Sequence, residues 1–405
     1  MWNLLKEQLK LLIHHAKENT SYYQKAFNSI SSIDSYDEFM KVPFLQKENI
    51  RKDYTQLLSK GTNEEDCSLY YTSGTTGIPI CYVRSKTELS EASIIISKNR
   101  RKWSEQAFGG TIVYFDRIKE PLKYHFHNGR AISLALSLYN HNQERYSLYV
   151  KAIQEFKPVI IQGYASSLFQ FAQYIIEQNI KMPNVQLIEN RSEHLFDGQR
   201  NVIEDAFKCK IANIYGLSEL FPIAYECQFG ELHICIENAF VEVVSTETGE
   251  KLRDGEIGEI ILTSLKCYTM PLIRYKSGDL GKIIKKSCMC GSDSPILELI
   301  KGRSNDVIKT TQGNLNPVIL RRIFDHFYRE QFLSIAQLQF VQTQLHEIMV
   351  NVIPLHEPNL QVENELKKLV RDCLPSITSV SVQWVQKLDQ NSISGKVNTF
   401  ISLIS

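Results

Sequence analysis

The densest run of chemically capable side chains is Tyr70–Pro79, YYTSGTTGIP, in which a strand-like lead runs into Thr72, Ser73, Gly74, Thr75, Thr76 and Gly77. Glycines let backbone N–H groups come close to an anion, and hydroxyls can donate to its oxygens, so a loop of this kind suits a phosphate chain. It is not a Walker A loop, which ends in Gly-Lys-Ser/Thr where Ile78, Pro79 and Ile80 stand here. A polar turn between two strands is the plainer alternative.

Four further runs follow in order. Ile214–Glu219, IYGLSE, places Tyr215 beside Gly216 and a carboxylate, Glu219, four residues on. A ring next to glycine can stack on a purine, and the carboxylate can hold a Mg²⁺ bound to phosphates. In Arg274–Gly281, RYKSGDLG, Asp279 could accept two ribose hydroxyls or simply shape the turn. Gly302–Lys309, GRSNDVIK, offers Arg303 to a phosphate and Asp306 at a domain junction. Ser392–Lys396, SISGK, presents one lysine on a Ser/Gly turn, where solvation is its ordinary role.

The elements that must position these residues change texture along the chain. Trp2–Ala16 and Ser35–Met40 read as helices, and Lys41–Arg51 as a loop entering another through Pro43. From about residue 68, short apolar runs (Thr111–Phe115, Ala131–Leu138, Pro158–Gln162, Val185–Glu189) alternate with amphipathic stretches (Leu148–Glu155, Ser166–Gln178, Asp197–Phe207). That alternation predicts a mainly parallel, helix-covered sheet. After Ile211–Tyr215 the pattern turns β-rich, with Phe240–Ser245 and Gly258–Ser264 flanking a turn-rich stretch. Beyond Gly302 a strand, a helix at Pro317–Phe327, strands at Gln337–Gln342 and Glu347–Val352, a helix at Leu360–Asp372 and a strand at Ser379–Val385 form a tail of roughly a hundred residues, enough for a small domain. The expectation is an α/β fold: a large domain, 1–302, of mainly parallel sheets and helices with a β-rich subdomain, and a small mobile α+β domain, 303–405, carrying Lys396.

Composition narrows the classes. The 405 residues are 43% hydrophobic and 22% charged, ordinary for a folded chain and long enough for a cleft between domains. With 46 basic against 45 acidic residues, no global field attracts nucleic acid or anionic membrane. The run KNRRK at Lys98–Lys102 reads as a solvated helix face. No run approaches the ~18 apolar residues of a membrane span. Met1–Lys17 carries lysines through its apolar period and lacks a small-residue cleavage site, so it is not read as a signal peptide. Nine cysteines, an odd number, suit reduced thiols and a cytoplasmic setting.

Taken in order, TSGTTG, YGxSE, RYxxGD, GRxxDxIK and SGK resemble the adenylate-forming superfamily of acyl-CoA synthetases, adenylation domains and luciferases. More narrowly the chain is similar to the phenylacetate-CoA ligase branch and its capsular-polysaccharide (CapK-like) relatives. Val42–Arg51 resembles that branch's early P-x-x-x-K-x-x-I-R segment, GYASSL at Gly163–Leu168 its GYPS-x-L helix start, and NRSEHLF at Asn190–Phe196 the stretch before the Tyr-Gly motif. The resemblance runs from about residue 40 to 400.

It implies ATP-dependent activation of a carboxylic acid as acyl-AMP, then acyl transfer, by default to the CoA thiol. Thr72, Ser73, Gly74, Thr75, Thr76 and Gly77 would grip the β- and γ-phosphates. Tyr215 and Gly216 would pack the adenine, with Ser192 and Glu193 as the opposite wall and Ser218 among the nucleotide-binding residues. Glu219 would carry Mg²⁺, Asp279 the ribose hydroxyls, and Arg303 would lie near ribose and phosphate, with Asp306 as the hinge. Lys396 would reach the α-phosphate and the substrate carboxylate. Tyr164, Ser166, Phe221 and Ile223 would line the acid pocket. Two positions depart from the pattern: Ile78 stands where a basic residue usually precedes the loop's proline, and Asn398 where a basic residue usually follows the lysine.

Cys227 and His233 in CQFGELH, with Cys288 and Cys290 in CMCG, supply three thiols and an imidazole, the set that closes a tetrahedral Zn²⁺ site. Their spacing is not that of a standard finger, and reduced thiols in turns are the alternative; the resemblance implies a zinc at matching positions in some relatives of the branch, which sets the metal level with that alternative. Cys235 is the substitute ligand. An amine, a sugar or a carrier-protein thiol could replace CoA as acceptor, and a homodimer is the default assembly. A nucleotide-binding protein without turnover is the reading from another class: Ile78 supports it, and intact Glu219, Asp279 and Lys396 oppose it.

Overall fold

The computed structural model describes all residues except 29–32, 72–79, 117, 139–141, 304–307, 312, 316–319, 321–322, 324–325, 328–334, 355–356, 389–398 and 405. By packing, the chain groups into two units, Met1–Lys102 with Ile214–Ile300 and Trp103–Asn213 with Lys301–Ser405. A mobile domain at 303–405 is a proposal.

In the first unit, helix Trp2–Asn19 buries Leu5, Leu9, Leu12, Ile13 and Ala16, one stripe at helical spacing. Its C-cap residue, Thr20, takes the N–H of Tyr23 on its side chain and starts the next helix, Ser21–Ala26. These helices pack Leu9, Leu12, Tyr23 and Phe27 against Phe39, Leu45, Leu272 and Tyr275 in one core. Strands Cys67–Tyr71 and Cys81–Ser85 pair antiparallel, Tyr71 opposite Cys81, and so hold both ends of the glycine-hydroxyl segment. Ser85 then caps helix Lys86–Arg101 in a reciprocal box with Glu88. Beyond residue 213 the pairing is antiparallel: Ala239–Val244 with Gly258–Ser264, the latter with Tyr275–Ile284, and Leu220–Glu226 with both Ile211–Leu217 and Leu232–Ile234.

The second unit contains the parallel sheet the alternation predicts. Ile112–Asp116 runs parallel to Arg130–Ser137 on one side and to Ile160–Gly163 on the other, and Leu187–Arg191 extends the order. Val113 and Phe115 are fully buried with Leu134, Leu136 and Ile161 under helices Gln143–Phe156, Ala165–Glu177 and Asp197–Phe207. The first of these helices starts earlier than its apolar period suggests, because the Asn142 side chain caps it by accepting the Arg145 N–H. Leu122–His127 was not expected; it turns back antiparallel on Arg130–Ser137 and makes the sheet edge.

In the same unit, Ile335–Gln344 and Glu347–Pro354 pair antiparallel, with Ser379–Trp384 parallel to the second and Phe400–Ser402 parallel to the first. Helix Leu360–Cys373 lays Val362, Leu366 and Val370 on this sheet, an i, i+4, i+8 stripe. The helix expected at Pro317–Phe327 falls mostly outside the described residues. Among the described residues no helix is long and apolar enough to cross a membrane. The architecture is the expected mixed α/β class.

Candidate nucleotide site and metal centre

Tyr215 sits near the end of strand Ile211–Leu217, 9% exposed, and its hydroxyl donates to Asp279 Oδ2 at 2.8 Å. Glu219 follows in the turn to Leu220–Glu226, 5% exposed, and accepts from the Tyr275 hydroxyl at 2.6 Å. Gly216 has a packing reason: a Cβ there would lie 2.1 Å from Cδ2 of Phe221, so the half-buried Phe221 ring closes directly on the backbone. Ser218 is exposed and its side chain hydrogen-bonds Tyr82.

Strand Cys81–Ser85 adds groups that no motif indicated. Burial, with the Glu219 charge second, holds the Tyr82 phenol above its ordinary value, and Tyr82 stacks on Tyr70 with ring centroids 5.2 Å apart. Arg84 is buried; loss of hydration pulls its pKa down, and the charges of Glu88, Tyr82 and Glu219 oppose that. A buried guanidinium thus stands within electrostatic range of the nominated metal carboxylate, a few residues after the hydroxyl-glycine segment. A lone arginine in an apolar strand carries no sequence signal for that.

The Asp279 turn is built by hydrogen bonds. Asp279 N–H donates to Ser277 Oγ at 3.0 Å, and Ser277 Oγ donates to the Ile260 carbonyl at 2.7 Å. Gly278 takes φ +80°, where a side chain would be strained. Lys47 Nζ donates to the Ser277 carbonyl at 2.8 Å. The early segment is there because Leu45 exchanges backbone bonds with the neighbouring strand, Leu45 N–H to Arg274 O at 3.1 Å and Lys276 N–H to Leu45 O at 3.0 Å. Arg274, 2% exposed, donates to Glu242 Oε2, Met40 O and Val42 O, at 3.2, 2.6 and 2.8 Å. The arginine of RYKSGD is therefore an anchor for the N-terminal segment.

In the second unit Tyr164 is buried and Ser192 lies at φ 69° just past strand Leu187–Arg191. Glu193 Oε2 accepts the Ser166 N–H at 2.9 Å, in the first turn of Ala165–Glu177 where amides lack helical partners. Asn190 Nδ2 donates to Glu193 O at 2.7 Å and fixes the bend. Ser166 and Glu193 are thus brought together. Ile223, nominated for the acid pocket, is fully buried among Leu220, Ala224 and Ile234 in the first unit. Arg303 ends strand Ile296–Arg303. Thr72, Ser73, Gly74, Thr75, Thr76, Gly77, Asp306 and Lys396 lie outside the described residues.

The cysteine-histidine set does converge. Strand Leu232–Ile234 pairs His233 with Ile296 and carries it to the turns holding the thiols. The ligand atoms of Cys227, His233, Cys288 and Cys290 lie within 4.8 Å of one another. Cys227 Sγ is 3.7 Å from Cys288 Sγ, and Cys290 Sγ 3.2 Å from His233 Nε2. Two thiolates about 2.3 Å from a tetrahedral Zn²⁺ would be about 3.8 Å apart, so the quartet fits that ion. His233 Nδ1 bonds the Ser294 carbonyl at 2.8 Å, the arrangement that turns Nε2 toward a metal. A backbone hydrogen bond from Cys290 is the main cause that lowers the Cys288 thiol to about 7, and burial raises Cys227 to about 11. Cys235, the substitute ligand, is buried beside Asn99, outside the quartet.

No family model matches the chain. Protein CapK of Staphylococcus aureus is 24% identical over 381 residues, covering 91% of this chain and 81% of that protein. A phenylacetate-coenzyme A ligase of Thermus thermophilus is 25% identical over 329 residues, covering 78% and 73%. The solved structure of 2-hydroxyisobutyryl-CoA ligase in its postadenylation state, with R3-HIB-AMP bound, superposes with a TM-score of 0.76 at 16% identity over 98% of this chain and 88% of that one, a likeness of fold. By sequence the chain is similar to the phenylacetate-coenzyme A ligases and to Protein CapK, and by fold to an acyl-CoA ligase.

Proposed function

We propose that the chain is an AMP-forming acid ligase: it activates a carboxylic acid with ATP as acyl-AMP, releases pyrophosphate, and transfers the acyl group to the CoA thiol. The observation that carries the reading is the pair of carboxylates, Glu219 and Asp279, each held by a tyrosine hydroxyl in the same packed unit. The hairpin ahead of them brackets the hydroxyl-glycine segment.

The reaction brings two anions together. A carboxylate oxygen attacks the α-phosphorus, the bond to pyrophosphate breaks, and the CoA sulfur then attacks the acyl carbon and expels AMP. Catalysis is therefore mostly alignment and charge neutralisation. Residues 72–77 would cradle the phosphates, Asp279 would accept the ribose hydroxyls, and Tyr215 and Gly216 would pack the base. Ser192, Glu193, Ser218 and Arg303 keep the nucleotide roles the motifs imply, Asp306 the hinge, and Tyr164, Ser166, Phe221 and Ile223 the acid pocket. Lys396, on a mobile 303–405 lobe, would bring a cation to the reacting phosphate. Glu219 would hold Mg²⁺, whose charge offsets that of the phosphates when it is bound. Cys227, His233, Cys288 and Cys290 would hold a structural Zn²⁺, tying the turn after strand Leu220–Glu226 and strand Leu232–Ile234 to the segment ahead of the strand that starts at Ile296.

A pyrophosphate-release screen over aryl, fatty, amino and sugar acids, with and without CoA, tests the reading. Acid-dependent release with AMP and thioester as products supports it. Nucleotide binding with no product under any acid would favour the binding protein without turnover. Product with an amine or sugar, and none with CoA, would change the acceptor.

A further inference from the structure

The two nominated carboxylates belong to different segments, and each is held by the tyrosine that precedes the other. Tyr215 lies four residues before Glu219, and Tyr275 four residues before Asp279. The hydroxyls cross: Tyr215 donates to Asp279 Oδ2 at 2.8 Å, and Tyr275 donates to Glu219 Oε1 at 2.6 Å. Tyr275 is 0% and Glu219 5% exposed, so their contact is screened from bulk water, the setting in which a hydrogen bond to an ionised carboxylate is strongest; Tyr215 is 9% exposed and Asp279 half-buried, so the second contact is partly screened.

The rings are anchored in different places. Tyr275 packs with Leu45, Leu272 and Tyr23, and Tyr215 packs with Leu220, Ala224 and Ile234. Each phenol fixes one named oxygen of its carboxylate and so sets the direction of the second. A carboxylate braced within its own turn could shift with that turn alone. Crossed bonds tie two turns together, and displacement of either moves both acids.

We infer that Tyr215 and Tyr275 are positioning residues, a reciprocal brace that sets the spacing of the metal carboxylate Glu219 and the ribose carboxylate Asp279 and so couples Mg²⁺ binding to nucleotide binding. The inference rests on the nucleotide reading proposed above. It also accounts for the two Tyr-x-x-x-acid runs as one device: the same spacing in YGLSE and YKSGD lets each phenol reach across to the other's acid.

The test uses the full chain and three variants, Tyr275→Phe, Tyr215→Phe and the pair, each losing only oxygen. Calorimetry of ATP at a series of Mg²⁺ concentrations, and of AMP without metal, reads binding; pyrophosphate exchange at saturating ATP reads the Mg²⁺ requirement. Tyr275→Phe is expected to raise the half-saturating Mg²⁺ roughly tenfold, the order of one hydrogen bond to a charged group, with the KM for the acid unchanged. The brace is identified by the cross-effect: Tyr215→Phe, which touches Asp279, raises the Mg²⁺ requirement severalfold too, and the double variant loses less than the product of the singles. A Mg²⁺ requirement unaltered in Tyr215→Phe, or losses that multiply, overturns the brace. Should one single variant fail to melt cooperatively, the cross-effect in the other decides. Wild-type chain that binds neither ATP nor AMP sinks the nucleotide reading itself, whereas wild-type binding with unaffected variants sinks the brace alone.

Discussion

Replacing Arg274 by methionine keeps a long side chain and removes the guanidinium, which separates an anchoring role from a catalytic one. Arg274 and Glu242 are 2% and 3% exposed, and the carboxylate keeps only the Tyr36 hydroxyl, at 3.1 Å, among the partners named here once the arginine is gone. Breaking one side of a buried pair costs about 3–5 kcal/mol, because the remaining charge stays desolvated. The carbonyls of Met40 and Val42 lose their donor as well, at about 1–3 kcal/mol for each that stays buried. The sum is a large part of the roughly 5–15 kcal/mol that holds a domain together. Thermal and urea unfolding should therefore show a marked loss, roughly 6–20 °C for the pair alone in a unit of this size. Arg274→Met with Glu242→Leu should recover much of it, since the orphaned charge is gone. At a temperature where Arg274→Met is folded, its pyrophosphate exchange per folded molecule should stay within a few-fold of wild type. An unchanged melting curve with abolished exchange would refute the anchoring argument.

Gly216→Ala would put a methyl group 2.1 Å from the Phe221 ring, so it should destabilise by about 1–3 kcal/mol and weaken ATP binding, read by denaturant melts and calorimetry. Lys396→Ala should lower the adenylation rate by on the order of a hundredfold with the melting temperature unchanged, and equal exchange rates would remove Lys396 from the mechanism. Chelation, or Cys288→Ser with Cys290→Ser, should release one zinc per chain and lower the melting temperature; native mass spectrometry that finds no metal in untreated protein would end that assignment. Burial, opposed first by the charge of Arg274, raises the Glu242 carboxyl above its ordinary value. Its contribution to stability is full below the unfolded carboxylate value and falls as pH rises through the folded one; Glu242→Gln should flatten that part of the stability-pH curve.

Much of the fold is legible in local patterns, since what these elements require is a property of neighbours in the chain. Leu5, Leu9, Leu12 and Ala16 repeat at helical spacing, and Val113 and Phe115 alternate with half-buried Tyr114, so each element announces its buried face. Helix Lys86–Arg101 was legible only as the charged run at its end, because it buries just Glu88 and Ile95 and leaves no clear stripe. The edge strand Leu122–His127 alternates weakly for a similar reason: among the described residues one of its sides has no strand partner.

The candidate site divides along the same line. Residue type and order alone showed that hydroxyls and glycines, a Tyr-Gly-acid run, a turn aspartate and a terminal lysine follow in an order that resembles one kind of chemistry, and that three thiols and an imidazole could close on a metal. Only tertiary structure decided that Tyr215 reaches Asp279 and Tyr275 reaches Glu219, that Arg84 comes within electrostatic range of Glu219, and that Arg274 and Lys47 support the turn around Ser277. The physical reason is range. Helix caps, strand alternation and turn glycines are set by residues a few positions apart, whereas these partners are 56 and more positions apart in the chain and meet only because paired strands and packed cores bring them into contact.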